Sequence, residues 1–443
     1  MVIDTVTGKD ISGNKPLDKL NVFSFKGVQM RTFHITWFSF FLCFFAWFGL
    51  APLMPTIRQE LGLTKDQVGN IIIASVSSTI ISRLIMGHLC DTWGPRKTYV
   101  MMLVLGAIPV MTVGLAHDYT TFLLFRFCIG IIGASFVITQ FHAGMMFAPQ
   151  VKGTANAVAG GWGNLGGGVT NMVMPLIFAF IVGMGYTKAE AWRYAMVIPG
   201  VVMLLTAFVY YKYTKDTPIG NYDEIHHVRS KHQADYSVLL DWRVWALTLA
   251  YGVCFGMEIT FDNVAALHFV DTFKLDQASA GFWAGVFGFM NIFARALGGI
   301  VADKVGQKSG LKGKGWLLGL VLLLEGVGLI IFANAGYLTL AIVSMLTFAL
   351  FLKMANGATY AIVPFVNAQN VGLVAGVVGA GGNLGGMLFG FLFKSGFTYI
   401  QAFEIIGVAV IVVALIVLVT RFEPKTVVAP VKSDEMDALP GAA

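Results

Sequence analysis

The chain has 443 residues, of which 56% are hydrophobic and only 12% charged, with a formal net charge of +6. An ordinary soluble domain carries roughly 25% charged residues, so this chain has too little charge to wet a globular surface, and its mean hydropathy of +0.74 agrees. Soluble enzymes, secreted disulfide scaffolds and disordered chains are excluded; the composition reads as an all-α integral membrane protein.

Residues 1–32 are polar and mixed in charge, without the apolar core of a signal peptide, and are expected to form a tail. A helix needs about 20 apolar residues to cross the hydrocarbon core. Twelve stretches qualify, at 34–57, 67–89, 98–117, 119–147, 154–184, 193–214, 243–269, 279–302, 315–335, 337–363, 372–398 and 400–421. The polar interval 215–242 divides them into two six-helix bundles, 33–214 and 243–421, and 422–443 is a second polar tail. Of the 30 Lys and Arg, twenty fall in the tails, the central interval and the loops on one side, six lie on the other, and four lie inside spans. The side richer in Lys and Arg faces the cytoplasm, so both termini are expected there. Cys43, Cys90, Cys128 and Cys254 all lie in apolar stretches without metal-ligand spacing and read as packing residues.

The halves repeat. Arg83-x3-Gly87-x3-Asp91-x2-Gly94 ends the second stretch, and Arg295-x3-Gly299-x3-Asp303-x2-Gly306 ends the eighth in the same register. Gly163-Asn164-Leu165-Gly166-Gly167 recurs as Gly382-Asn383-Leu384-Gly385-Gly386. Two related halves around a midplane site are the signature of a secondary transporter.

Arg83 and Arg295 each precede the loop aspartate by eight residues, about 12 Å of helix rise, too deep for easy snorkelling. A guanidinium is planar, permanently charged and forked, so a facing pair makes a clamp for a small planar oxyanion. The bland alternative, that each pairs with a carboxylate or with helix carbonyls, weakens when two arginines repeat and acids are few. Glycine in a membrane helix allows close packing, which explains Gly163 and Gly382 but not Asn164 and Asn383 embedded beside them; those carboxamides fit an anion or hold its arginines. Glu258 and Asp262 lie four apart on one helix face, with Asn263 adjacent. An intramembrane carboxylate is a candidate for proton coupling, which makes Glu258 such a candidate. The structural alternative is a salt bridge from these acids to Arg126, Lys353 or a clamp arginine. Phe44 and Phe261 are candidate site walls, although packing is the stronger explanation for both. Glu325 and Glu404 receive no role, and His142 reads as a structural histidine. No metalloprotease, nucleophile-elbow or P-loop motif occurs, so neither catalysis nor a cofactor or metal is expected.

The loop segments Gly87-His-Leu-Cys-Asp91-Thr-Trp-Gly94-Pro-Arg96-Lys97 and Gly299-x3-Asp303-Lys-Val-Gly306 resemble the loop signature of the major facilitator superfamily. That resemblance implies a cytoplasmic latch built from Asp91, Arg96 and Asp303. Arg126-Phe-Cys-Ile-Gly130 is similar to the superfamily's span-four arginine motif, tied to proton coupling. Ala159-Gly-Gly-Trp-Gly-Asn-Leu-Gly-Gly-Gly168 and Gly379-Ala-Gly-Gly-Asn-Leu-Gly-Gly386 resemble the paired signatures of the nitrate/nitrite porter family. Met257-Glu-Ile-Thr-Phe-Asp-Asn263 and Gly357-Ala-Thr-Tyr-Ala-Ile-Val-Pro-Phe365 resemble the plant and cyanobacterial type. The resemblance implies a twelve-helix transporter holding nitrate, or its analogue nitrite, between Arg83 and Arg295 and cycling by alternating access. Proton-coupled uptake is the expectation for a monomer in the cell membrane, with no nucleic-acid partner. Nitrate/nitrite exchange, transport of another small anion, and a nitrate sensor are the alternatives.

Overall fold

The computed structural model describes residues 15–224, 236–367, 371–394 and 396–423. Ten helical stretches are long and apolar enough to cross a membrane. One of them, Gln277–Ala333, is broken at Gly310 (φ 61°, ψ −156°). A Cβ on Gly313 would meet Ser309 and Val305, so the chain folds back there and makes two crossings. A further helix, Gly27–Phe48, carries more Trp, Thr, Ser and His but packs within the core. The membrane helices among the described residues are therefore α1 (Gly27–Phe48), α2 (Lys65–Trp93), α3 (Pro95–Leu115), α4 (Tyr119–Met146), α5 (Pro149–Gly183), α6 (Lys188–Tyr213), α7 (Trp242–Phe273), α8 (277–309), α9 (311–333), α10 (Leu338–Tyr360), α11 (Val371–Lys394) and α12 (Tyr399–Val419).

Side chains cap α2, α4, α6, α8 and α12 at the same end of the bundle. Thr64 with Gln67, Asp118 with Thr121, Thr187 with Glu190 and Thr398 with Gln401 form reciprocal capping boxes, and Asp276 accepts from the amides of Ala278 and Ser279. Each such cap contributes about 1 kcal/mol and sharpens the step from wet loop to apolar helix. Two helices depart from regular geometry. In α4 a 3-10 turn, Ile131–Ala134, lies where Gly130 and Gly133 press on Ser75, Thr79 and Trp47; in α8 a 3-10 turn, Met290–Ile292, carries Asn291.

The halves meet through α2 against α11 and α5 against α8. A Cβ on Gly69 would lie 2.6 Å from the Lys394 Cα, and one on Gly168 would lie 2.5 Å from the Gly288 Cα. Only glycine permits such backbone approach. At this end Arg58 donates twice to Asp271, at 2.8 and 2.7 Å, and Thr56 donates to Gln277 at 2.7 Å. The molecule is closed between its halves on the Arg58 side. At the opposite end the named ion pairs stay local: Lys97 with Asp223 at 2.6 Å, and Asp303 with Lys314 at 2.6 Å.

Two boundaries differ from the sequence reading. Helix α1 begins at Gly27 and ends at Phe48, and Met54–Glu60 is a separate short helix where Pro52 and Pro55 interrupt. Residues 15–32 are not a free tail. The Leu17 amide donates to the Met146 carbonyl at 3.0 Å, the Leu17 carbonyl accepts from Ala148 at 2.8 Å, and Met30 and Phe33 are buried against Ala143, Met146 and Phe147. Residues 1–14, 225–235 and 424–443, which the sequence reading assigned to tails and central loop, lie outside the described residues.

Candidate anion site

Arg83 is 7% exposed and reaches from α2 to the opposite half. Its Nη1 donates to the Gly379 carbonyl at 2.9 Å. The Asn383 carboxamide satisfies its surroundings with its oxygen turned to the guanidinium, accepting from Nη1, from Nε at 3.1 Å and from Nη2 at 3.2 Å. The Phe136 ring lies under the guanidinium, its centre 5.2 Å from Cζ. Arg295 of α8, 8% exposed, has the matching arrangement: Nη2 donates to the Tyr251 hydroxyl at 3.1 Å, and the Phe255 ring centre is 5.6 Å from Cζ. The rings of Tyr251 and Tyr360 meet edge-on at 5.0 Å, and both guanidiniums act electrostatically on both hydroxyls. The two arginines of the repeat thus converge on one pair of tyrosines.

The glycine segments explain how the rings come so close. A Cβ on Gly163 would collide with Phe40, which packs on Phe136, and one on Gly382 would lie 2.6 Å from Phe255 and 2.8 Å from Tyr251. In the second half the glycine seats the ring that supports the arginine; in the first it seats Phe40, one ring behind Phe136. Asn383 is committed to Arg83. Its counterpart Asn164 is buried with neither Oδ1 nor Nδ2 hydrogen-bonded. A buried polar group without a partner costs about 1–3 kcal/mol, which marks Asn164 as a group set up for something other than the protein.

Glu258 is fully engaged. Oε1 accepts from Asn291 at 2.6 Å and from Lys353 at 3.1 Å, Oε2 accepts from Asn356 at 2.6 Å, and Arg295 Nη2 stands 4.0 Å away. This is the salt bridge weighed as the structural alternative, and it joins α7, α8 and α10. Arg126 donates to the Trp47 carbonyl at 2.8 Å and to Asn263 Oδ1 at 3.1 Å, linking α4 to α7 across the halves. Asp262 is buried, 4% exposed, with Oδ1 unpartnered. Glu325 is fully buried with neither oxygen hydrogen-bonded, while Glu404 accepts from Asn334 at 2.9 Å. His142 contacts the Tyr210 hydroxyl at 2.5 Å and the Lys215 carbonyl at 2.7 Å.

The proposed walls are placed elsewhere. Phe261 packs with Phe287, Phe332, Phe348 and Phe403 inside the second half. It lies six residues beyond Phe255, about one and two-thirds turns on, and so faces another side of α7. Phe44 packs edge-on against Phe40 and Trp47 and tilted against Phe48, one ring removed from Phe136. Phe136 and Phe255, which composition could not single out, take the wall positions. Lys353 and Asn356 had a usable signal, since they lie one turn apart in an apolar stretch; Tyr251 had none. At the loops, the acid that holds Arg96 is Asp216, whose Oδ1 accepts the Arg96 amide at 2.8 Å. Burial raises the Asp216 carboxyl above its ordinary value, against the backbone hydrogen bonds from Arg96 and Tyr222. Asp303 takes Lys314 as its partner, and Asp91 engages contacts of its own.

The Major Facilitator Superfamily profile matches residues 36–389. High affinity nitrate transporter 2.5 of Arabidopsis thaliana is 40% identical over 85% of this chain and 76% of its own length. High-affinity nitrate transporter 2.3 of Oryza sativa subsp. japonica is 38% identical over 89% and 80%. The chain belongs to the nitrate/nitrite porter family of the Major Facilitator Superfamily. The nitrate/nitrite transporter NrtP of Picosynechococcus sp. is a more distant relative of this porter, 30% identical over 83% of the chain and 85% of the relative. In fold, the porter is similar to a bacterial homolog of the human lysosomal transporter Spinster in an inward-facing, unoccupied conformation. The TM-score is 0.69 at 16% identity, covering 89% of this chain and 96% of that one. Among the described residues no cluster of His, Cys, Asp or Glu suits a metal ion.

Proposed function

We propose that this porter moves nitrate, and nitrite as its close analogue, across the cell membrane by alternating access, as a monomer with both termini in the cytoplasm. The observation that carries the reading is the convergence of Arg83 and Arg295 on Tyr251 and Tyr360; Asn164, buried without a protein partner on the repeated glycine segment, is a further proposed donor. Nitrate is flat, singly charged and offers three acceptor oxygens. Two forked cations, two hydroxyls and a carboxamide supply donors from several directions, and the stacked rings favour a planar ligand. In the sequence of relatives, nitrate appears in the names of plant and cyanobacterial transporters alike.

Two arginines and one nitrate leave one positive charge; ionised Glu258 stands 4.0 Å from Arg295 but is already balanced by Lys353, so it does not cancel that charge. Uptake driven by protons is the coupling proposed. Exchange of nitrate for nitrite is the second reading, favoured by a specific feature: Glu258 is committed to a salt bridge with Lys353 and to two carboxamide donors. Purified porter in proteoliposomes tests both. Proton coupling predicts nitrate accumulation when the outside is made acidic, with no internal anion required. Uptake that ignores the gradient and demands internal nitrite would replace it with exchange. Asp91, Arg96 and Asp303 are proposed to act as the latch at the cytoplasmic ends, through Asp216 and Lys314.

A further inference from the structure

Glu258 is tied into the core by a salt bridge to Lys353 and by two carboxamide donors, so a less engaged acid is the better candidate to take up a proton if transport is proton-coupled. One turn further along the same face of α7 is Asp262. It lies where the two halves touch: a Cβ on Gly167 of α5 would be 2.9 Å from Asp262 Oδ2 and 3.2 Å from Phe48. It is 4% exposed, Oδ1 is sealed without a hydrogen-bond partner, and among the described residues no cation lies within ion-pair distance.

None of the cations around it pairs with it. From α4, Arg126 donates to Trp47 and Asn263 and keeps its Nε unpartnered, but it makes no ion pair with Asp262; from α10, Lys353 is bonded to Glu258 at 3.1 Å; from α8, Arg295 donates to Tyr251 at 3.1 Å. Glu258 on the same helix acts on Asp262 with the same sign of charge, and Lys353 acts on it only at a distance. Glu325 on α9 and His268 further along α7 are buried and bring no cation to it. The surfaces that α5 and α1 present, Gly167 and Phe48, are uncharged. An ionised carboxylate in such a place has lost water and gained no compensating charge, whereas a neutral acid packs against the glycine without that penalty.

We propose that Asp262 is the proton-binding residue of this porter, and that its neutralisation is what allows the halves to close on the Arg58 side. This rests on the proton-coupled reading above. With that side open, water reaches the carboxylate and supplies a proton to an oxygen. The neutral acid then packs against Gly167 as α5 and α7 approach. After nitrate leaves toward the other side, the proton passes to water there, and the regained charge favours reopening. Asp262 acts on conformation and does not touch the anion.

The test compares wild type, D262N and D262E, purified and reconstituted as full chains. Two assays are run on each: nitrate counterflow at equal pH, which needs no net proton movement, and nitrate uptake driven by an acidic exterior. The expected result is that D262N keeps counterflow within about threefold of wild type but loses gradient stimulation. D262E should retain stimulation with a displaced pH midpoint. If D262N responds to the gradient as wild type does, Asp262 is not the proton site, although proton coupling stands. A wild type indifferent to the gradient overturns the coupling reading and this assignment together. If D262N does not fold, D262E decides: a midpoint identical to that of wild type overturns the proposal.

Discussion

Arg83 and Arg295 make the sharpest predictions at the scale of single residues. Lysine keeps the charge but loses the fork, and a hydrogen bond to a charged group is worth about 1.5–3 kcal/mol. R83K and R295K are each expected to lower nitrate affinity by about 10–100-fold, read as the concentration giving half-maximal counterflow. N164A should cost about 2–10-fold by the same measurement, because a single neutral hydrogen bond contributes about 0.5–1.5 kcal/mol. Glu258 differs in kind. Removing its charge strands Lys353, buried and unpaired, at a cost of about 3–5 kcal/mol. E258Q is therefore expected to lower the thermal stability of the purified protein, and E258Q/K353M to recover most of the loss. A double variant no more stable than E258Q would show that the ion pair is not what fails.

At the scale of helices, glycine decides what moves. Gly168 and Gly288 let α5 and α8 touch backbone to backbone, and Gly69 does the same for α2 against α11. G168A and G288A should hinder closure on the Arg58 side and leave each half folded. Cysteines placed along that interface should become more reactive to a membrane-impermeant thiol reagent than in the parent protein. The positions of the helices were legible in the sequence because an apolar run of sufficient length has few alternatives in a bilayer. The repeat made the arginines legible too, since an intramembrane charge found twice in one register needs a common reason. The breaks in α4 and α8 were not legible. They come from Gly130 pressing on Ser75 and from Asn291 turning to Glu258, contacts between residues far apart in the chain. The supporting rings were hidden for another reason: among 36 Phe, nothing local distinguishes Phe136 and Phe255 from Phe261.

For the whole molecule, the halves are joined on the Arg58 side and tied locally on the other. That is one end state of alternating access. The Arg58–Asp271 pair is bidentate but about a quarter to a third exposed. Exposed pairs contribute about 0–1 kcal/mol, so D271N is expected to shift the balance between states by no more than about fivefold. A glycine substitution in α5 should shift it further. The same division explains where the scarce charge has gone. Most basic residues lie in the tails and loops; of the four left in the membrane, Arg126 joins the halves, Lys353 pairs with Glu258 inside the second half, and Arg83 and Arg295 are the pair proposed to hold the anion.

The central claim is that this chain carries nitrate and that the arginine pair holds it. Uptake of isotopically labelled nitrate into proteoliposomes, wild type beside R83K and R295K, tests it most directly. The expected result is saturable uptake by wild type, inhibited by nitrite and poorly by larger anions, with the half-saturating concentration raised at least tenfold in both variants. Uptake no greater than in protein-free liposomes, or lysine variants indistinguishable from wild type, would contradict it.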